Sequence, residues 1–348
     1  MSTLRLGLNG YGRIGRSFVR ALVEREAACG RLPLELVAIN DLGDPQDLLY
    51  LTRHDSTHGA FPAKAELEGD TLVVDRHRPR LLSQPRPEQL PWAELEVDLV
   101  LECTGEFRAR NDAARHLAAG AGRVVIGAVP FDSADAVTVF GINHQQLGNQ
   151  DKVLSAGSCT THAIAPLLQY LDQQYGVEQV LMTEVHAYTS DQTLLDHVHR
   201  DPRRGRAAAQ NIIPTTSSAI GAIQQVLPQL RGRISGGSIR VPTLNVAMVD
   251  LTLRLGKVPT VEQINAGMAE AARQRPDLLG YNSQPLVSVD FNHRSESAIF
   301  DSTQTCVQGD MLRVVAWYDN EWGYANRLID LVNFLQAGSD VGRRTSDA

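Results

Sequence analysis

The sequence predicts an α/β protein of two domains: a Rossmann-type α/β domain on a parallel sheet, then an α+β domain with a largely antiparallel sheet. Three observations carry this. Strand-like and helix-like segments alternate from Leu4 to about residue 150. A glycine run, Gly10-x-Gly12-x-x-Gly15, lies between the first strand and the first helix. Beyond residue 150 the pattern changes to longer segments with apolar and polar residues in alternation, as in Val246 to Leu255. The 348 residues fit two domains of roughly 100–200 residues each.

Taken in order, Leu4 to Leu8 reads as a strand, and Ile14, Phe18, Ala21 and Leu22 have helical spacing. A second strand, Leu34 to Ile39, ends at Asn40-Asp41. Strand, glycine loop, helix, strand and acid together make a dinucleotide site. Gly10 permits the tight turn, Gly12 lets a pyrophosphate approach the backbone, and Gly15 lets helix and strand pack closely. The helix N-terminus would hold the phosphates. Asp41 is placed to accept hydrogen bonds from a ribose 2′-hydroxyl, which favours NAD over NADP. Residues 61–92, rich in Pro and Arg, read as irregular excursions. Val97 to Cys103 is an apolar run expected of a strand buried on both faces, closed by Thr104-Gly105. Thr104 either lines the cofactor cleft or serves the turn. Asn111 to Ala119 reads as a helix and Arg123 to Ile126 as the next strand.

In the second half, Val180 to His186 is a strand ending at a histidine. Thr260-x-x-Gln263 has the form of a capping box ahead of a helix bearing Ile264 and Met268. Leu286 to Val289, Ala298 to Phe300 and Leu312 to Trp317 read as strands, and Leu328, Leu331, Val332 and Leu335 mark a last helix. The expected division is a cofactor domain over 1–158, completed by the helix 323–337, a catalytic domain over 159–322, and a disordered polar tail over 338–348. The segment 188–211, with Arg200, Arg203, Arg204, Arg206, His197 and His199, is either a solvated surface or a loop that meets a cofactor or a neighbouring subunit.

Composition narrows the functional classes. A net charge of −7 disfavours nucleic acid as a partner, so any anionic substrate must meet local positive charge. No apolar run approaches the ~18 residues of a membrane span, and no signal-peptide pattern opens the chain; the cytoplasm is the expected compartment. Cys29, Cys103, Cys159 and Cys306 show neither metal-ligand spacing nor a disulfide framework, so no metal is expected.

Cys159 stands out. Ser158 reads as an N-cap, and Ile164, Leu167, Leu168 and Leu171 define one face of the helix that follows. The sulfur would then lie in the first helical turn, where the dipole favours thiolate. A buried structural cysteine is the alternative, and the local pattern leaves both open. With a nicotinamide site, a nucleophilic cysteine implies attack on an aldehyde, hydride loss from the hemithioacetal and release of a thioester to an acceptor. His186 is the candidate base; on position alone a structural histidine competes with it.

These residues belong to longer motifs. Ser155-x-x-Ser158-Cys159-Thr160-Thr161, Thr183-x-x-His186-Ala187-x-Thr189, Gln210-Asn211-Ile212-Ile213-Pro214, Arg240-Val241-Pro242-Thr243-x-Asn245-Val246 and Trp317-Tyr318-Asp319-Asn320-Glu321-Trp322-Gly323-Tyr324 occur in order. From about Leu4 to Leu335 the chain resembles the glyceraldehyde-3-phosphate dehydrogenase family. The resemblance implies an NAD-dependent phosphorylating aldehyde dehydrogenase of glycolysis, most simply converting glyceraldehyde 3-phosphate to 1,3-bisphosphoglycerate. It makes Cys159 the nucleophile and His186 its acid–base partner. Thr189 and Arg240 would bind the substrate's phosphate, and Ser158, Thr160 and Ser217 the attacking inorganic phosphate. Asn320 would bind the nicotinamide carboxamide, Arg13 and Ile14 would offer backbone contacts to the pyrophosphate, and the assembly would be a homotetramer with 188–211 reaching across an interface.

The sequence departs from the family pattern in places. His162 and Ala163 replace Asn and Cys after Cys159-Thr160-Thr161. Ser155-Ala156-Gly157-Ser158 stands for Ser-Asn-Ala-Ser, Thr216-Ser217-Ser218 for Ser-Thr-Gly, and Pro85 falls where an arginine is expected. Pro166 would make the Cys159 helix irregular. The related erythrose-4-phosphate dehydrogenases are resembled at Asp290-Phe291-Asn292-His293, Asp301-x-Thr303-Gln304-Thr305 and Asp201-x-Arg203-Arg204, whereas Thr189, Asn211 and Tyr324 favour glyceraldehyde 3-phosphate. An NAD-binding paralogue with altered catalysis is a further reading.

Overall fold

The computed structural model describes residues 3–346. The chain divides into two compact units: one runs to Gly157 and resumes at Ala325, and the other spans Ser158–Tyr324.

In the first unit, β1 (Leu4–Asn9), α1 (Arg13–Cys29), β2 (Leu34–Asn40) and α2 (Pro45–Arg53) follow in succession. Three short strands come next: β3 (Ala65–Glu68), β4 (Thr71–Val74) and β5 (Arg80–Leu82). They are followed by β6 (Leu99–Glu102), β7 (Arg123–Ile126), β8 (Ala136–Val137) and β9 (Val153–Ser155). One nine-stranded sheet has the order β8-β9-β7-β6-β1-β2-β5-β4-β3. The central strand β1 pairs in parallel with β2 and with β6. Leu6, Leu8, Leu36, Ile39, Val100 and Leu101 are buried on its two faces, which is why these strands read as continuous apolar runs.

Two expectations are corrected here. Residues 61–92 are not wholly irregular: β3–β5 extend the sheet at one edge by antiparallel pairing of β3 with β4 and β4 with β5. Strands of three or four residues are too short to display a period of two. The helix expected over Asn111–Ala119 is broken into single turns, Arg110–Ala113 and Arg115–Ala118. The Leu117 N–H reaches back only three residues, to Ala114, tightening the chain there.

The second unit begins with α3 (Cys159–Tyr175) and β10 (Val177–Ala187), then β11 (Ile213–Thr215), α4 (Ala219–Val226), β12 (Ile234–Val241) and β13 (Ala247–Leu255). It continues through α5 (Val261–Gln274), β14 (Leu279–Asn282), β15 (Ala298–Asp301), β16 (Cys306–Gln308) and β17 (Met311–Tyr318). Its sheet has the order β11-β12-β10-β13-β17-β15-β14, with β16 on β17. Pairing is antiparallel except for β10 with β12 and β14 with β15. Ala247, Val249, Leu251, Leu253 and Leu255 are buried, as their alternation requires. The capping box at Thr260 and Gln263 forms in full. The strand expected at Leu286–Val289 is instead a 3₁₀ turn, Ser288–Phe291. The Asp290 carboxylate folds back to accept the Val287 N–H at 2.9 Å and closes that turn.

The last helix, α6, is Trp322–Ser346. The tail expected to be disordered thus has a helical backbone from residue 338 to Ser346, and residues 347–348 lie outside the described residues.

Candidate active site

In the first unit the sheet delivers its ligand-facing residues at the carboxyl ends of β1, β2 and β6. A cleft there is lined by Gly10, Gly12, Asp41, Pro85 and Thr104, among others. Gly10 holds φ at +93°, and a Cβ on it would lie 2.5 Å from the Thr104 nitrogen. A Cβ on Gly15 would collide with the Gly10 carbonyl oxygen, so α1 can begin against the loop only with glycine there. A Cβ on Gly12 would meet only open space, the space a ligand needs to touch the backbone. The N-cap residue, Gly12, offers no side-chain cap, so the positive end of α1 faces the loop. The Arg13 side chain is turned away to Asp55 at 2.6 Å. Burial works against the charge of Asp55, but Arg13 and two backbone N–H groups outweigh it and hold its pKa near 2.

Asp41 is fixed by two backbone donors: Tyr11 N–H to Oδ2 at 2.7 Å and Gly43 N–H to Oδ1 at 2.9 Å. Each oxygen keeps a second lone pair for a hydroxyl. Thr104 serves the turn and borders the cleft together. Its hydroxyl and N–H both donate to Glu102, which also receives the Asn9 amide. Trp92 Nε1–H donates to His116 Nδ1 at 2.9 Å, so His116 Nε2 carries the proton that faces Glu102 at 3.1 Å. This buried network ties the ends of β1 and β6 together beneath the glycine loop. A helix start without a side-chain cap, an open glycine and a fixed carboxylate fit a dinucleotide.

In the second unit Cys159 opens α3. Ser158 caps the helix through Thr161 N–H, and Thr161 returns a contact to the Ser158 nitrogen. The helix runs on through Pro166. His162, where the family pattern has asparagine, supports the same turn: its Nδ1 lies 3.1 Å from the Ser158 carbonyl, and its ring meets Tyr324 edge-on.

Cys159 Sγ lies 3.6 Å from His186 Nε2. His186 Nδ1 is 2.6 Å from the Ala187 carbonyl oxygen, which can only accept, so Nδ1 bears a proton. In the neutral ring Nε2 is therefore the lone-pair nitrogen, aimed at the sulfur. Burial pushes the thiol pKa up to about 12, Glu184 adds to it, and Arg240 only partly opposes it. Burial and the Arg240 cation press His186 well below its ordinary value, against the pull of Glu184. Burial and the Glu184 carboxylate therefore oppose the thiolate that the helix dipole favours. Thiol and neutral imidazole make a pair in which the proton moves as the sulfur attacks.

Glu184, two residues before His186 on the same face of β10, escaped the sequence reading. It is 2% exposed, accepts the Thr160 hydroxyl at 2.8 Å and lies 3.8 Å from His186 Nε2. Tyr318 OH stands 2.9 Å from Thr160 Oγ1 and completes the chain. The readable signal was period two: Val180, Met182, Glu184 and His186 share the buried face, and an acid on such a face needs a reason.

Arg240 is the register partner of His186 across the parallel β10–β12 ladder. Its Nε and Nη1 are buried without hydrogen-bond partners, as donors awaiting an anion are. Thr189 follows β10, with its N–H on Gln192 Oε1 at 2.8 Å. Ser217 precedes α4, and Ser218 has a helical φ of −72°, so no glycine is required there. Asn320 is set in a segment pinned by Asp319, whose carboxylate takes N–H groups from His293, Glu321 and Trp322 and the Asn245 amide. Asn320 Oδ1 is buried without a partner.

A model of the glyceraldehyde 3-phosphate dehydrogenase NAD binding domain matches residues 4–110, and one of the C-terminal domain of the same enzymes matches 158–320. A glyceraldehyde-3-phosphate dehydrogenase of Pseudomonas aeruginosa is 46% identical over 97% of this chain and 100% of its own. The chain belongs to the glyceraldehyde 3-phosphate dehydrogenase family. A plasmid-encoded member from Cupriavidus necator is 46% identical over 94% of this chain and 97% of its own, and one from Bacillus subtilis is 43% identical over 95% and 98%. As a member of this family the protein is an NAD-dependent oxidoreductase.

Among the described residues no helix is long and apolar enough to cross a membrane, and all four cysteines are free.

Proposed function

We propose that the protein oxidises glyceraldehyde 3-phosphate with NAD and inorganic phosphate, yielding 1,3-bisphosphoglycerate. The observation that carries this reading is the Cys159 sulfur 3.6 Å from the lone-pair nitrogen of His186, beside the unsatisfied guanidinium of Arg240. The thiol adds to the aldehyde carbon as its proton passes by way of His186 Nε2 to the carbonyl oxygen, giving a hemithioacetal and leaving Nε2 free to take the hydroxyl proton as hydride departs. Arg240 and Thr189 hold the substrate's phosphate and so fix the carbonyl over the sulfur. Bound NAD supplies the acceptor for the hydride whose loss turns the hemithioacetal into a thioester. Gly10, Gly12 and Gly15 shape the loop, the backbone of Arg13 and Ile14 meets the pyrophosphate, and Asp41 takes the ribose hydroxyls beside Thr104. Asn320 Oδ1 takes the carboxamide N–H. Ser158, Thr160 and Ser217 are the hydroxyls nearest the incoming acceptor.

The assembly is a homotetramer in the cytoplasm. Leu194, Leu195 and Val198, exposed on the segment 188–211, support an interface there. Arg204 of that segment is not simply solvated, since it reaches Asp191 and Thr215.

The test is NADH absorbance with glyceraldehyde 3-phosphate, NAD and phosphate. Erythrose 4-phosphate is the control: activity with it alone transfers the assignment to the related dehydrogenase. NAD binding without turnover on either aldehyde sinks the catalytic reading.

A further inference from the structure

The three hydroxyls nearest the acyl acceptor are already engaged. Ser158 Oγ is committed to the helix cap, accepting the Thr161 N–H at 3.1 Å. The single proton of Thr160 Oγ1 goes to Glu184 Oε1 at 2.8 Å, because an ionised carboxylate can only accept. Ser217 stands near enough to Glu184 to help hold its charge. A buried carboxylate therefore stands against two of these hydroxyls, Thr160 and Ser217, which are proposed above to meet the attacking phosphate. Burial works against the charge of Glu184, but the Arg240 cation and the Ser217 and Thr160 hydroxyls oppose it and favour the carboxylate. Its other oxygen, Oε2, is buried without a hydrogen-bond partner. A second anion is repelled from such a place, whereas a neutral molecule with a proton to give suits it.

We propose that Glu184 selects the acyl acceptor, so that the Cys159 thioester is released to water, with Glu184 as the base, in competition with inorganic phosphate. This rests on the thioester chemistry proposed above. The water oxygen bonds to the acyl carbon while its proton passes to Glu184 Oε2. The carbon–sulfur bond then breaks, and the sulfur leaves with the proton that His186 acquired when the hemithioacetal lost its own. Glu184 returns its proton to solvent. The step is redox-neutral, since oxidation is complete at the thioester, and the product is 3-phosphoglycerate. Glu184 touches the attacking water and the hydroxyls of the phosphate position, so it both supplies a base and sets specificity.

The experiment uses the full-length enzyme with NAD and glyceraldehyde 3-phosphate in buffer free of phosphate. Steady NADH production well beyond one equivalent per Cys159, with 3-phosphoglycerate identified by phosphorus NMR, is the expected result. Glu184→Gln, matched in size, should lower that phosphate-free rate at least tenfold and lower the KM for phosphate at least tenfold. It should also speed alkylation of Cys159 by iodoacetamide at neutral pH, a change that mere loss of packing would not produce. A burst of one NADH per site that halts until phosphate is added overturns the proposal, and needs no variant to fold. An unchanged KM for phosphate in a folded Glu184→Gln enzyme overturns it as well. Absence of even the burst, with glyceraldehyde 3-phosphate and with erythrose 4-phosphate, overturns the underlying thioester reading and this proposal with it.

Discussion

The cleft at Gly10 and the cluster at Cys159 are built by different means. The first is made of backbone: an uncapped helix start, a glycine at φ +93° and a strand-end acid held by two N–H groups. The second is made of side chains carried by separate elements, with Cys159 on α3, Glu184 and His186 on β10, and Arg240 on β12. A backbone site depends on conformation, so its substitutions act on binding and stability. A side-chain site depends on pKa values and proton positions, so its substitutions act on chemistry. The two should therefore separate under mutation.

Cys159→Ser sharpens that contrast most. NADH formation should fall by at least roughly 10⁴-fold, while the NAD dissociation constant stays within about twofold. A comparable loss of NAD binding would break the distinction. His186→Asn should cost about 10²–10⁴-fold in kcat and slow Cys159 alkylation, again with NAD binding retained. From the other side, Gly10→Ala forces a Cβ against Thr104 at a positive φ and should raise the NAD dissociation constant at least tenfold, about 1.4 kcal/mol, with a lowered Tm. Asp41→Ala should raise that constant roughly five- to twentyfold, about 1 to 1.8 kcal/mol, the scale of a single hydrogen bond. An unchanged constant, by titration calorimetry, would remove Asp41 from the ribose site.

The smallest effect concerns pH. His186 is held below its unfolded value, so the unfolded chain binds the proton more readily. Stability should decline as pH falls below about 6.5, by at most about 1.4 kcal/mol per pH unit for this group, until the native ring also protonates. Thermal melts from pH 8 to pH 5 should show a steeper loss in the wild type than in His186→Asn.

The same contrast explains what the sequence disclosed. Gly10, Gly12, Gly15 and Asp41 lie within one short stretch, where spacing alone specifies a turn, a helix start and a strand end. The continuous run around Val100 and the alternation from Ala247 to Leu255 likewise declare their sheets. Cys159, His186 and Arg240 are distant in sequence and had to be joined through family motifs, because no local period reports a meeting of α3, β10 and β12. The strand β12 went unread because Gly236 and Gly237 interrupt its pattern, and Leu286–Val289 misled because Asp290 turns the chain back on itself. The thiol's high pKa was illegible for a related reason: helix position is local, but desolvation and the charge of Glu184 belong to the assembled fold.

The parallel pairing of His186 with Arg240 has a consequence for divergence. Neighbouring strands lie about 4.8 Å apart whatever side chains they carry, so the ladder works as a gauge between the His186 imidazole and the Arg240 guanidinium. Point changes in the surrounding loops alter which sugar phosphate fits without resetting that gauge. Deleting one residue of β10 ahead of His186 would do the opposite: with the start of the strand held in register, it would place Ala187 opposite Arg240 and turn the imidazole to the other face. Lineages descending from such a protein can explore new aldehydes by editing loops, and they lose the reaction at once by changing a strand's length.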